Sequence, residues 1–250
     1  MGLFNSLAGM ATIAMVIFSH GTTAKNVSLD LLPAEPLPVI TPDAVCADWA
    51  AWVPPQSDPA VVMQAEAGQD VIMSDADALW LADPMKDFSL PGVIHSSIVA
   101  SRGKYPTAFG NVWGSTMCMG FIFFRASASR AAMGEFVAAM KSIVLKKKDD
   151  QIAVNMAAQD FGIVWQEESS DMRYERSTSF GVGFIDCLSD DDNRPFTVTL
   201  LPHSTYPRIC ARTPVSNTTV VAHCLTMKTP GEKVGWMQSM DLWSVDKDTR

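Results

Sequence analysis

The chain has 250 residues, is 48% hydrophobic and 18% charged, and so holds enough apolar material for one core and excludes a disordered or collagen-like polymer. Nineteen Lys and Arg against 27 Asp and Glu give a formal net charge of −8, which counts against nucleic acid, whose phosphates need a basic face. An anionic substrate remains compatible with the sequence if a metal ion carries the positive charge.

The first apolar segment, LAGMATIAMVIF at 7–18, is shorter than the roughly 20 residues that cross a bilayer. It reads either as a signal peptide, with Thr22-Thr23-Ala24 offering small residues for cleavage but no Lys or Arg ahead of it, or as a buried first strand. Pro33, Pro36, Pro38, Pro42 and the run Pro54-Pro55-Gln56-Ser57-Asp58-Pro59 exclude a central strand or a helix interior. Residues 1–59 are therefore expected to be an N-terminal segment with an irregular, Pro-rich arm. Whether the chain associates with a membrane is left open.

From residue 60 the pattern is regular. Ala60 to Ala67 reads as the end of a helix stopped by Gly68. Val71-Ile72-Met73 is a short apolar run suited to a strand buried on both faces. Val93 to Ala100 and Met117 to Phe124 read as further strands. Between Ala128 and Lys146, the residues Met133, Phe136, Val137, Met140, Ile143 and Val144 recur at three- and four-residue spacing, which predicts a helix with one apolar face. Lys146, Lys147 and Lys148 then stand at its negative dipole end, a sufficient reason for the basic run without a phosphate.

A second helix opens at Asp149-Asp150-Gln151 with an Asp as its cap. Ile163 to Trp165, Phe196 to Leu201 and Thr219 to Cys224 read as strands, and Glu232 to Trp243 as a closing amphipathic helix. Strands alternating with helices predict an α/β layered domain over 60–245, followed by a short tail at 246–250. The five cysteines lie far apart with no Cys-x-x-Cys pair, so a structural zinc site is not expected. Asn26-Val27-Ser28 and Asn217-Thr218-Thr219 are formal glycosylation acceptors that permit secretion.

Chemistry concentrates at Ser74-Asp75-Ala76-Asp77, where two carboxylates follow an apolar strand. Ligands of open α/β sheets bind outside the carboxyl ends of strands, and two carboxylates there can hold a hard divalent ion. The same spacing recurs at Asp190/Asp192 and Asp246/Asp248, but in polar, loop-like surroundings. His223 ends a second apolar run. Taken alone it reads as a packed core histidine; beside Asp75 and Asp77 it would complete a mixed oxygen and nitrogen site for Mn²⁺. Lys233 is either a cation for phosphate or a solvated surface lysine.

The run VIMSDADALWLADPM resembles the strand, Asp-x-Asp and trailing aromatic of nucleotide-diphospho-sugar transferases of the GT-A type. It is most similar to the group of plant and algal cell-wall arabinosyl- and xylosyltransferases. Met119-Gly120-Phe121-Ile122-Phe123-Phe124-Arg125 is similar to that family's glycine-led strand ending in Arg. Asp150-Gln151 with Asn155 resembles its Asp-Gln-x-x-x-Asn helix start. Leu201-Pro202, His223, Lys233 and Leu242-Trp243 follow in the family's order. Where the family carries Asn-x-Gly, this chain has Cys118-Met119-Gly120.

The resemblance implies a GT-A-like mixed, mostly parallel sheet flanked by helices in one domain. It also implies a metal-dependent, retaining glycosyltransferase that moves a sugar from a nucleotide diphosphate, UDP above all, to a glycan or glycoprotein in the lumen of the Golgi or secretory pathway. On the same resemblance Asp77 and His223 would bind Mn²⁺ or Mg²⁺, and Asp75 the metal or the donor's ribose. Asp150 and Gln151 would face the donor sugar, and Lys233 the diphosphate. Two other readings are compatible with the residues. One is an inactive transferase-like carbohydrate-binding or scaffold domain. The other is a phosphatase of the haloacid-dehalogenase type with Asp75 as nucleophile, although that motif asks for Thr or Val where Leu79 stands.

Overall fold

The computed structural model describes residues 14–18, 69–75, 77–147, 149–166, 177–189, 193–208, 215–223 and 230–239. Its strands are β1 (Ala14–Phe18), β2 (Val71–Asp75), β3 (Ala78–Trp80), β4 (Ile98–Gly103), β5 (Thr116–Phe124), β6 (Val164–Trp165), β7 (Gly181–Ser189), β8 (Pro195–Leu200) and β9 (Val221–His223). The helices are α1 (Met85–Phe88), α2 (Thr107–Trp113), α3 (Arg130–Lys147), α4 (Asp150–Asp160) and α5 (Pro230–Ser239). Among the described residues no helix is long and apolar enough to cross a membrane.

Seven strands form one sheet in the order β1-β2-β5-β4-β8-β7-β6, and β3 with β9 form a two-stranded sheet. The mixed α/β sheet flanked by helices agrees with the sequence. Five of the seven strands run one way, and only β5 and β7 are reversed. Because both reversed strands lie inside the sheet, only the β1–β2 and β4–β8 pairs are parallel neighbours.

Period-two alternation sorts the central strands onto two cores. Val71, Met73, Ile98, Ala100, Ile122 and Phe124 face α3 and α4, where they meet Met133, Phe136, Val137, Met140 and Ile143. Ile72, Val99, Phe121 and Phe123 face the other way, onto Phe88, Val93, Leu201, Tyr206 and Val221. The predicted apolar face of the long helix is thus the helix-side core, with Val144 packed at its margin. Asp149 caps α4 by accepting a 2.8 Å hydrogen bond from the Ile152 amide.

Several expectations are corrected. The strand placed at 93–100 starts only at Ile98, and residues 93–95 lie in turns. That apolar run is consumed by a turn in which the Val93 and Ile94 amides both donate to Leu90 O at 2.8 Å. The helices α1 and α2 and the nine-residue β7 carry no prediction. In β7 the buried positions Gly181, Gly183, Ile185 and Leu188 include two glycines, which erase half of the alternating apolar signal. The segment 7–18 contains the edge strand β1, parallel to β2. The helix end at 60–67, the acidic pairs Asp190/Asp192 and Asp246/Asp248, and Leu242-Trp243 lie outside the described residues.

One irregularity positions the site. Ala100 pairs with Ile122, but its neighbour Ser101 pairs with Cys118. Met119, Gly120 and Phe121 therefore bulge out of the β4 ladder, while Phe121 stays paired with Ser74 on β2. A bulge bends the strand locally and re-aims its neighbours, and this one lies beside the end of β2.

Candidate metal centre

Asp75 is the last residue of β2, at the carboxyl end shared by the five co-directional strands. The chain then turns through Asp77 into β3, and Trp80 fastens the turn. Its Nε1 donates to Ser74 Oγ at 3.0 Å, and its ring meets Phe121 edge-on with centroids 5.5 Å apart. Strand β3 pairs antiparallel with β9, Ala78 opposite His223. This small sheet carries His223 back to the residue adjoining Asp77. The His223 amide is held from the other side by Pro207 O at 2.9 Å.

The result is a convergent triad. His223 Nε2 lies 3.2 Å from Asp77 Oδ1 and 3.3 Å from Asp75 Oδ2. One ligand atom from each residue lies within 4.8 Å of the others. The histidine side chain is 4% exposed and the carboxylates 23%, an arrangement with a buried nitrogen floor and an opening on the acidic side. Two hard oxygens and an imidazole nitrogen suit Mn²⁺ or Mg²⁺, and the mixed set favours Mn²⁺.

Gly120 makes room for the ring. A Cβ on Gly120 would overlap His223 Cε1 and Nδ1 and would lie 2.9 Å from Asp75 Oδ2. The glycine of the bulge thus lets the Cε1–Nδ1 edge of the imidazole lie against β5. Beside it, Cys118 Sγ accepts from the Gly120 amide at 3.2 Å. Burial opposes a charged His223 most strongly, yet the neighbouring Asp77 carboxylate and Cys118 sulfur win and raise its pKa. Burial likewise opposes a Cys118 thiolate, but the positive charge of Arg208 and the neighbouring His223 leave the thiol's pKa lowered. Among the described residues His223 Nδ1 has no well-formed hydrogen bond.

The remaining candidates are on the helices α4 and α5. Asp150 and Gln151 begin α4, which Asn155 locks to β5: its Oδ1 accepts from the Met117 amide and its Nδ2 donates to Met117 O, both at 2.9 Å. Gln151 Nε2 donates to Tyr105 O at 2.6 Å. Asp150 is not in the metal-ligating group formed by Asp75, Asp77 and His223. Lys233 is on α5, and its side chain lies outside the described residues.

Three participants were not singled out as site residues from the sequence. Gly120 was legible only as part of a strand motif, and Cys118 only as a departure from it. Arg208 follows Leu201-Pro202 with no motif of its own, and nothing local in the sequence marks it.

The family model for nucleotide-diphospho-sugar transferases matches residues 62–237, a span that holds every residue of this centre. No curated protein matches the chain, and no solved structure does. With well over half of its length matched and the acidic pair and His223 gathered at one strand end, the chain belongs to the nucleotide-diphospho-sugar transferase family.

Proposed function

We propose that the protein is a metal-dependent glycosyltransferase that transfers a pentose or hexose from a nucleotide diphosphate, UDP above all, to a glycan or glycoprotein acceptor with retention of configuration. The observation that carries this reading is the convergence of Asp75, Asp77 and His223 within 4.8 Å. Asp75 and Asp77 supply carboxylate oxygens, and neutral His223 supplies Nε2, to Mn²⁺ or Mg²⁺. A divalent ion there contributes positive charge where a departing diphosphate gathers its negative charge.

The protein's own groups do the rest. Asp150 and Gln151, at the start of α4, orient the hydroxyls of the donor sugar, and a carboxylate nearby tolerates oxocarbenium-like charge. Lys233 adds a cation for the diphosphate. Attack on the same face as departure fits a retaining reaction, and no nucleophile is assigned. The two sequons permit a lumenal place in the Golgi or secretory pathway, and the resemblance to cell-wall transferases points to glycans of that type as acceptors.

The test is turnover of a panel of nucleotide sugars by the purified chain, with Mn²⁺ and with chelator. Metal-dependent release of the nucleoside diphosphate is the expected result. A folded protein inert towards the whole panel, with acceptors present, favours the scaffold reading instead.

A further inference from the structure

When an imidazole binds a metal ion through Nε2, the one proton of the neutral ring has to sit on Nδ1. His223 has a rival arrangement open to it, because its Nε2 lies 3.2 Å from Asp77 Oδ1 and 3.3 Å from Asp75 Oδ2. With the proton on Nε2 the ring donates to those carboxylates and closes the site to a cation. The choice between the two tautomers turns on what an Nδ1 proton would meet on the other side of the ring.

That side is dry. The His223 side chain is 4% exposed, and among the described residues its buried Nδ1 has no well-formed hydrogen bond. A buried N–H without an acceptor is costly, which by itself favours the tautomer that excludes the metal. Metal-binding histidines ordinarily meet a carboxylate, a backbone carbonyl or a water at this nitrogen. Here the neighbour is a sulfur. Gly120 is the common contact: the Cε1–Nδ1 edge of the ring takes the space where a Cβ on residue 120 would stand, and Cys118 Sγ accepts from the Gly120 amide at 3.2 Å. Cys118 is fully buried, and it and His223 each influence the other's ionisation. Arg208, whose charge acts on both, has only donors to offer.

We propose that Cys118 is a positioning residue for the metal centre: its sulfur receives the Nδ1 proton of His223 and so holds the ring in the tautomer that presents Nε2 to the ion. The inference rests on the metal reading above and adds to it the group behind the histidine, at a position where the chain departs from the Asn-x-Gly of the transferases that it resembles. A thiol sulfur is a weak acceptor, so a hydroxyl in its place should serve His223 at least as well.

The experiment compares the full-length wild type with Cys118→Ala and Cys118→Ser. Mn²⁺ affinity is measured by titration, and nitrogen-15 NMR of the Mg²⁺-loaded proteins, which are diamagnetic, reads the Nδ1 proton directly. Cys118→Ala is expected to lose about tenfold in Mn²⁺ affinity and to move the Nδ1 proton resonance upfield, as loss of a hydrogen bond does. Cys118→Ser restores an acceptor; it is expected to bind Mn²⁺ at least as tightly as the wild type and to move the resonance downfield. Unchanged Mn²⁺ affinity in Cys118→Ala overturns the inference. So does a loss of affinity shared by both variants, or a proton resonance that moves in neither, because Cys118 would then matter only for packing. If Cys118→Ala does not fold, Cys118→Ser decides: a downfield proton with Mn²⁺ affinity kept supports the inference, and an unmoved proton overturns it. A wild type that binds neither Mn²⁺ nor Mg²⁺ overturns the metal reading and this inference with it, whereas failure in the variants alone leaves the metal reading standing.

Discussion

Gly120 and His223 are in direct contact across the site, with the imidazole occupying the volume that any side chain on residue 120 would fill. The sequence places the two residues on separate strands, and the β5 bulge at 119–121 together with the Ala78–His223 pair brings them face to face.

Gly120→Ala should therefore displace the imidazole while leaving the rest of the sheet in place. Overpacking of this kind costs about 1 to 3 kcal/mol, and Mn²⁺ affinity should fall about tenfold or more as Nε2 leaves the two carboxylates. Titration with Mn²⁺, followed by its paramagnetic signal, checks this against the melting temperature. Unchanged affinity would mean that His223 is not a ligand.

The helix-side core makes a separate prediction. Phe136 is fully buried and stacks between Phe161 and Phe196, with centroids 6.0 and 5.5 Å away. Phe136→Ala should cost about 3 to 5 kcal/mol. Denaturant unfolding of the two proteins measures it, and an unchanged midpoint would move Phe136 out of the core.

These two predictions differ in how far the sequence anticipated them. Helix α3 was readable because its apolar residues repeat at helical spacing, and β2 and β5 because they are continuous apolar runs. Asp75, Asp77 and His223 were readable because each ends or follows such a run, where ligands collect. Strand β7 was not, since Gly181 and Gly183 occupy two of its inward positions. Arg208 was not, since it lies in the loop after β8, where no local pattern marks a residue that packs near Cys118 and His223.

The triad should also respond to pH. The folded pKa of His223 is raised above its ordinary 6.5, so the imidazolium between Asp75 and Asp77 stabilises the metal-free protein. That contribution is fully present below about 6.5 and is lost as pH rises through the higher folded value. The metal-free melting temperature should therefore fall over this range, and His223→Gln should flatten the dependence. Mn²⁺ requires neutral imidazole, so its stabilising effect should grow as pH rises. Melting curves from pH 5.5 to 8.5, with Mn²⁺ and with chelator, test both halves.

The acidic pair separates the transferase from its rivals. Asp77 Oδ1 is 3.2 Å from His223 Nε2, so Asp77→Asn replaces a charged ligand with an amide of nearly the same shape at the centre of the triad. Metal affinity should drop, and turnover of nucleotide sugars should fall by about a hundredfold or more with it, because charge stabilisation of the departing diphosphate is lost. Above the folded pKa of His223, where the imidazole is neutral, stability should change little; at lower pH the metal-free variant loses the charge pair and should melt below the wild type. Asp75→Asn should also reduce turnover, since Asp75 Oδ2 is 3.3 Å from the same nitrogen. The two rivals expect something else. A phosphatase of the haloacid-dehalogenase type forms a phosphoryl bond on its first aspartate, so rapid quenching with a phosphorylated substrate and mass spectrometry would find phosphate on Asp75. A scaffold has no metal-dependent turnover for either substitution to remove. Loss of activity in Asp77→Asn, with intact folding and no phosphate on Asp75 in the wild type, is the outcome expected of a nucleotide-sugar transferase that works through this centre.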